Sequence, residues 1–164
     1  MISAAMEESG RVMGEAIIRW SWITTAFFAL ITAIAVVWSG FEPVAVTVDL
    51  LLFALGLAVF AAAFLAGAAR SRTSELGIGG WFFLLGDTAP RSVKRHLLGS
   101  LTVQVVLAFA AASVRAPGPL AFGTLVPLLG LAWCGRWGAR YGKFPDRVLE
   151  PRMRRDIEQN ADHG

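Results

Sequence analysis

The sequence predicts an all-α membrane protein: a four-transmembrane-helix bundle with a short interfacial segment in the central cytoplasmic loop. Three observations predict it. The first is composition. Of 164 residues, 55% are hydrophobic and 16% charged, whereas an ordinary soluble domain carries about a quarter charged residues. The second is blocking. Between successive charges lie apolar runs at 20–41, 50–69, 97–114 and 116–135, and a helix needs about 20 such residues to cross roughly 30 Å of hydrocarbon. The third is the placement of the basic residues, taken up below. Together these exclude a soluble enzyme, a secreted disulfide scaffold and a disordered tail.

Residues 1–19 form a cytoplasmic N-terminal segment, in which Glu7, Glu8, Arg11, Glu15 and Arg19 alternate with apolar residues at loosely helical spacing. Its acidic start, and the length of the apolar run behind it, do not read as a cleaved secretory signal. The transmembrane bundle is expected over 20–138. Span one covers 20–38, with Trp20, Trp22 and Trp38 at its ends, where indole rings favour the headgroup level. Ser39, Gly40 and Pro43 read as a helix stop. Span two covers 49–69, with a start as early as Val44 allowed. The connection holds no Lys or Arg, so spans one and two form an antiparallel hairpin.

Residues 70–96 are the longest polar interval. Inside it the apolar stretch 76–86 is too short to cross as a helix and reads as interfacial or re-entrant. Asp87, Thr88, Ala89 and Pro90 read as the cap of the next helix. Span three covers 97–114, residues 115–119 turn tightly, and span four covers 120–137 with a bend at Pro127. A basic cytoplasmic tail, 139–164, follows, with a short helix expected at 148–158.

Of the 15 Lys and Arg residues, only Arg115 falls in a connection on the far side; the other fourteen lie in the N-terminal segment, the central loop or the tail. The positive-inside rule then puts both termini in the cytoplasm. The same rule accounts for the net charge of +3 without a nucleic-acid partner. Arg outnumbers Lys by 13 to 2 and alanine is abundant, a composition typical of a GC-rich bacterial genome, and the expected location is the bacterial plasma (inner) membrane.

Helices in lipid associate through small residues and a few polar contacts. Such stripes are offered by Ala54, Ala58, Ala62 and Ala66 in span two, and by Ser100, Gln104, Ala108 and Ala112 in span three. Span four offers Gly130, Cys134 and Gly138; span one offers Ala29 and Ala33 flanked by Thr25 and Thr32. Phe27, Phe28, Phe53, Phe60, Phe64 and Phe109 supply bulk elsewhere.

Asp49 is the one acidic residue touching a span. An intramembrane carboxylate is a candidate proton or cation site, but at the outer interface, within reach of water, a structural or helix-start role outweighs transport. Gln104, midway along span three, is expected to form an interhelical hydrogen bond. Arg19 and Arg136 read as interfacial anchors, and lone His96 and Cys134 as neither metal ligands nor nucleophiles. The single cysteine allows no internal disulfide. Gly77 to Gly80 lack the Lys-Ser/Thr of a phosphate loop. Trp81, Phe82 and Phe83, with Arg91, Lys94 and Arg95, mark the expected partner or lipid contact.

No catalytic set, metal site or cofactor motif is present in the sequence. The expected function is therefore that of a non-enzymatic accessory or assembly subunit of a membrane complex, its partner another integral membrane protein or a second copy of itself. The alternative is a small oligomeric transporter or channel using Asp49 and Gln104.

Overall fold

The computed structural model describes the backbone of residues 2–71 and 77–145, and side chains from Gly14 onward. The expected helix at 148–158 and the basic residues of the tail beyond Asp146 lie outside the described residues, as do Arg72, Leu76 and the side chains of the N-terminal amphipathic segment. The described residues form five α-helices in order: α1 Ile2–Val37, α2 Glu42–Arg70, α3 Ile78–Phe82, α4 Arg91–Val114 and α5 Pro127–Tyr141. Two 3-10 segments join them, Ser39–Phe41 before α2 and Pro119–Leu125 before α5. Among the described residues four stretches are long and apolar enough to cross a membrane: Gly14–Val37, Ser39–Arg70, Arg91–Val114 and Pro119–Tyr141.

The Ser39–Phe41 turn reverses the chain between α1 and α2. The stop expected at Ser39, Gly40 and Pro43 is where α1 ends, and Pro43 also stands in the first turn of α2, where its missing N–H would have no intrahelical acceptor anyway. The helix therefore begins seven residues before Asp49, which lies about two turns inside it rather than at its start. At the same end Arg115 donates to the Glu42 carboxylate at 2.5 Å and to the Val36 carbonyl at 2.9 Å, tying the ends of α1, α2 and α4 together. Every other described Lys or Arg side chain lies toward the opposite, basic end.

The bend expected at Pro127 is a change of helix type. A prolyl ring at 127 clashes with the carbonyl four residues back and donates nothing. The residues before it adopt the tighter 3-10 form, with Val126 N–H bonding Gly123 C=O at 3.1 Å. Seven 3-10 residues and fifteen α residues, at about 2.0 and 1.5 Å each, still extend roughly 36 Å.

The most extensive packing joins helices that are not neighbours in sequence: α2 against α5, and α1 against α4. Three hydrogen bonds between the second pair, Ser21 to Ser100, Gln104 to Thr25 and Arg115 to Val36, share a separation of 79 residues. The two segments therefore run parallel in constant register.

The packed face of α2 corrects the sequence reading. Ala45, Asp49, Leu52, Gly56, Ala63 and Gly67 are buried, whereas Ala54, Ala58, Ala62 and Ala66 are exposed. Alanine is small but also apolar, so it sits as well against lipid-like surroundings as against a helix. Glycine marked the true face: a Cβ on Gly56 would lie 3.0 Å from the backbone nitrogen of Leu129. Phe28, expected to supply bulk outside the packed faces, is 0% exposed at the centre of a cluster with Leu52, Ala108, Val126 and Leu129.

The described part of the segment expected to be interfacial or re-entrant turns its rings inward. Helix α3 wedges its aromatic rings between α2 and α5. Trp81 stacks on Phe64 (6.0 Å) and Phe82 on Phe60 (5.0 Å). Three glycines make the socket. A Cβ on Gly67 would collide with the Trp81 ring, one on Gly135 with the Phe82 ring, and one on Gly138 with the Trp81 carbonyl. The Trp81 indole N–H donates to Gly135 C=O at 2.9 Å. Ile78, Phe83 and Leu85 keep an exposed apolar outer side.

Candidate functional site

Two polar features stand out in the described residues, one inside the bundle and one at its basic end. The interior feature begins as a ladder between α1 and α4. Spacing of four places Ser21 and Thr25 on one face of α1, and Ser100 and Gln104 on one face of α4. Ser21 and Ser100 share a hydrogen bond through their hydroxyls. Ser100 also donates to Leu97 C=O at 2.9 Å, Thr25 donates to Ser21 C=O at 2.8 Å, and Gln104 Nε2 donates to Thr25 Oγ1 at 2.7 Å. All four side chains are at most 2% exposed. Gln104 thus makes the interhelical bond its position suggested, but its Oε1, facing Gly130, accepts nothing.

Asp49 departs from its sequence reading. It is 3% exposed, away from the water expected to reach it. One carboxylate oxygen, Oδ1, has no partner, and the other faces Gly123 beside the ring of Phe28. The carboxylate and Gln104 do not form one site. They abut Gly123 and Gly130, seven residues apart, with Val126 and Leu129 of the buried apolar cluster between those positions. Trp133 and Trp137 add two more buried nitrogens without partners, and no charge or motif in the sequence pointed to either.

At the basic end, Arg70 closes the C-terminus of α5, donating to Ala139 C=O at 3.1 Å and Gly142 C=O at 2.8 Å with its guanidinium over the Phe144 ring. Beside it opens a cleft of about 980 Å³ between α1, the start of α4 and the end of α5. Arg19, Arg91, His96 and Lys143 line it, together with Glu15, Asp87 and Trp137.

The residues expected to contact a partner or lipid separate into two groups. Trp81 and Phe82 are each 7% exposed, filling the glycine socket, and are not available to a partner. Phe83, Arg91 and Arg95 are exposed, and Lys94 donates to Gly86 C=O. Cys134 is fully buried and free. Among the described residues no three His, Cys, Asp or Glu side chains come together as a metal site. The chain matches no family model, no curated protein and no solved structure.

Proposed function

We propose that this chain is an integral membrane protein crossing a bacterial plasma membrane four times, both termini cytoplasmic, and that it serves as a non-enzymatic accessory or assembly subunit of a larger membrane complex. One observation carries the reading: the bundle's outer surface is strongly apolar while several polar side chains are enclosed within it. Leu51, Leu65 and Phe109 are 61–70% exposed, while Ser21, Ser100 and Gln104 are 0% exposed. Such a surface suits hydrocarbon, and such an interior suits helices whose association gains nothing from excluding water. The Ser21, Thr25, Ser100 and Gln104 hydroxyls and amide are largely occupied in joining α1 to α4, which fits a structural role better than a conducting one. The basic end, with Phe83, Arg91 and Arg95 exposed, is the face offered to a partner.

The test is mild detergent extraction from native membranes, capture through a C-terminal tag and mass spectrometry of co-eluting proteins. A stoichiometric membrane protein is the expected result. Elution alone, or only as a homo-oligomer, rejects the accessory role. A reporter fused at the C-terminus and active only outside the cytoplasm rejects the topology.

A small oligomeric transporter or channel is the second reading, and the unpartnered oxygen of Asp49 favours it. A buried carboxylate in a span is by default a proton or cation site. That reading predicts that Asp49→Asn abolishes flux in reconstituted vesicles at unchanged expression, whereas the accessory reading predicts no flux in either protein.

A further inference from the structure

The cleft at the basic end is rich in groups that only donate hydrogen bonds. Arg19, Arg91 and Lys143 line it, and none forms an ion pair with a described residue. The N-terminus of α4, a helix of 24 residues, opens into it. Pro90 caps that helix without a side-chain bond, and the first turn's bond runs from Lys94 N–H to Pro90 C=O. The N–H groups of Arg91, Ser92 and Val93, all at the cleft, therefore have no helical carbonyl behind them.

An independent observation points the same way. Trp137 is 6% exposed, yet its Nε1 has no partner among the described residues. It lines the cleft beside Gly14, where a Cβ would lie 3.1 Å from that nitrogen. A buried indole N–H normally has an acceptor. Guanidinium, ammonium, backbone N–H and indole N–H can accept nothing, so what satisfies them must be rich in acceptors. Glu15, one turn before Arg19, and Asp87, four residues before Arg91, set the remaining condition. Their carboxylates repel a bare polyanion and accept from hydroxyl or ammonium groups.

We propose that this cleft binds a phosphate ester bearing its own hydroxyl or ammonium groups, the chemistry shared by a glycerophospholipid headgroup and a small soluble phosphate ester. The lipid source rests on the four-span reading above; the soluble source does not.

Full-length protein in mild detergent is examined by native mass spectrometry for retained phospholipid and by calorimetric titration with glycerol 3-phosphate. Saturable binding of one of the two is expected. Arg19→Gln with Arg91→Gln, both at exposed positions, weakens it on the order of 30-fold. Trp137→Phe, which removes the N–H and keeps a ring, weakens it about tenfold in protein that still unfolds cooperatively. Arg140→Gln, a basic residue outside the cleft, changes binding less than about twofold. Retained lipid without glycerol 3-phosphate binding assigns the lipid source, and the reverse assigns the soluble one. Binding of neither overturns the proposal. So does an Arg140→Gln effect equal to that of the double variant, or no effect of Trp137→Phe. The reporter fusion, read separately, distinguishes failure of this site from failure of the membrane topology.

Discussion

Along the contact of α1 with α4, Ser21 meets Ser100 and Thr25 meets Gln104, hydroxyl and amide by hydroxyl, in a register that holds from the first pair to Arg115 at the far end. Along the contact of α2 with α5 the described polar bonds are confined to one end, where Arg70 donates to the Ala139 and Gly142 carbonyls. On the same contact Gly56 admits the backbone at Leu129, and Gly67, Gly135 and Gly138 admit the rings and carbonyl of α3. The first pair is joined in its interior by side-chain hydrogen bonds, the second by close approach and aromatic filling with an arginine clasp at one end. Where hydrophobic exclusion does not operate between helices, these are the two means available, and in its interior the molecule assigns one to each pair. The energetic weights differ. An interhelical hydrogen bond in a membrane contributes about 0.6 kcal/mol on average, whereas a buried aromatic ring contributes several.

The comparison can be broken most forcefully at Trp81. Trp81→Ala empties the glycine socket and removes the bond to Gly135, and is expected to cost about 3–5 kcal/mol, read as the fall in the thermal unfolding midpoint in detergent. A loss below about 1 kcal/mol would show that α3 merely rests on the bundle. Asp49→Leu tests the opposite sign. Because Oδ1 has no partner, replacing the carboxylate by a side chain of similar size removes an unsatisfied buried group, and stability is expected to rise by about 1–3 kcal/mol. A fall on that scale would reveal a partner for Asp49. Gln104→Leu costs about 1 kcal/mol, and a double-mutant cycle with Thr25→Val returns a coupling near 0.6 kcal/mol. Zero coupling would remove the ladder from the account of the α1–α4 pair. The smallest effect belongs to Arg115→Gln, whose ion pair with Glu42 is partly exposed; it should cost no more than about 1 kcal/mol, measured as loss of protection from hydrogen exchange at the end of α1.

The four long apolar helices were legible because length and hydropathy are summed over some twenty residues and tolerate local error. The role of Gln104 was legible because an amide in an apolar run has few alternatives. What failed was finer. Asp49 was read at a wet edge, but α2 starts at Glu42, two residues before the earliest start expected, and its packed face encloses the carboxylate. The alanines of α2 mimicked a packing stripe because alanine is indifferent to what it faces, while Gly56 and Gly67, which are not indifferent, carried the true one. Trp81 and Phe82 were read as a contact surface because an aromatic run between glycines looks interfacial. The glycines that receive them lie on other helices, and no local pattern connects the two. The cleft is likewise assembled from α1, the start of α4 and the end of α5, so its donors share no motif.

The separation of 79 residues between α1 and its partner on α4 also has a meaning in time. At about 5–20 residues per second of synthesis, Ser21 and Thr25 are made roughly 4–16 s before Ser100 and Gln104 exist. For that interval the first hairpin holds two hydroxyls and the carboxylate of Asp49 without the neighbours that α4 and the segment before α5 later supply. The order of manufacture thus sets a waiting period during which half of this protein must be sheltered by something other than itself.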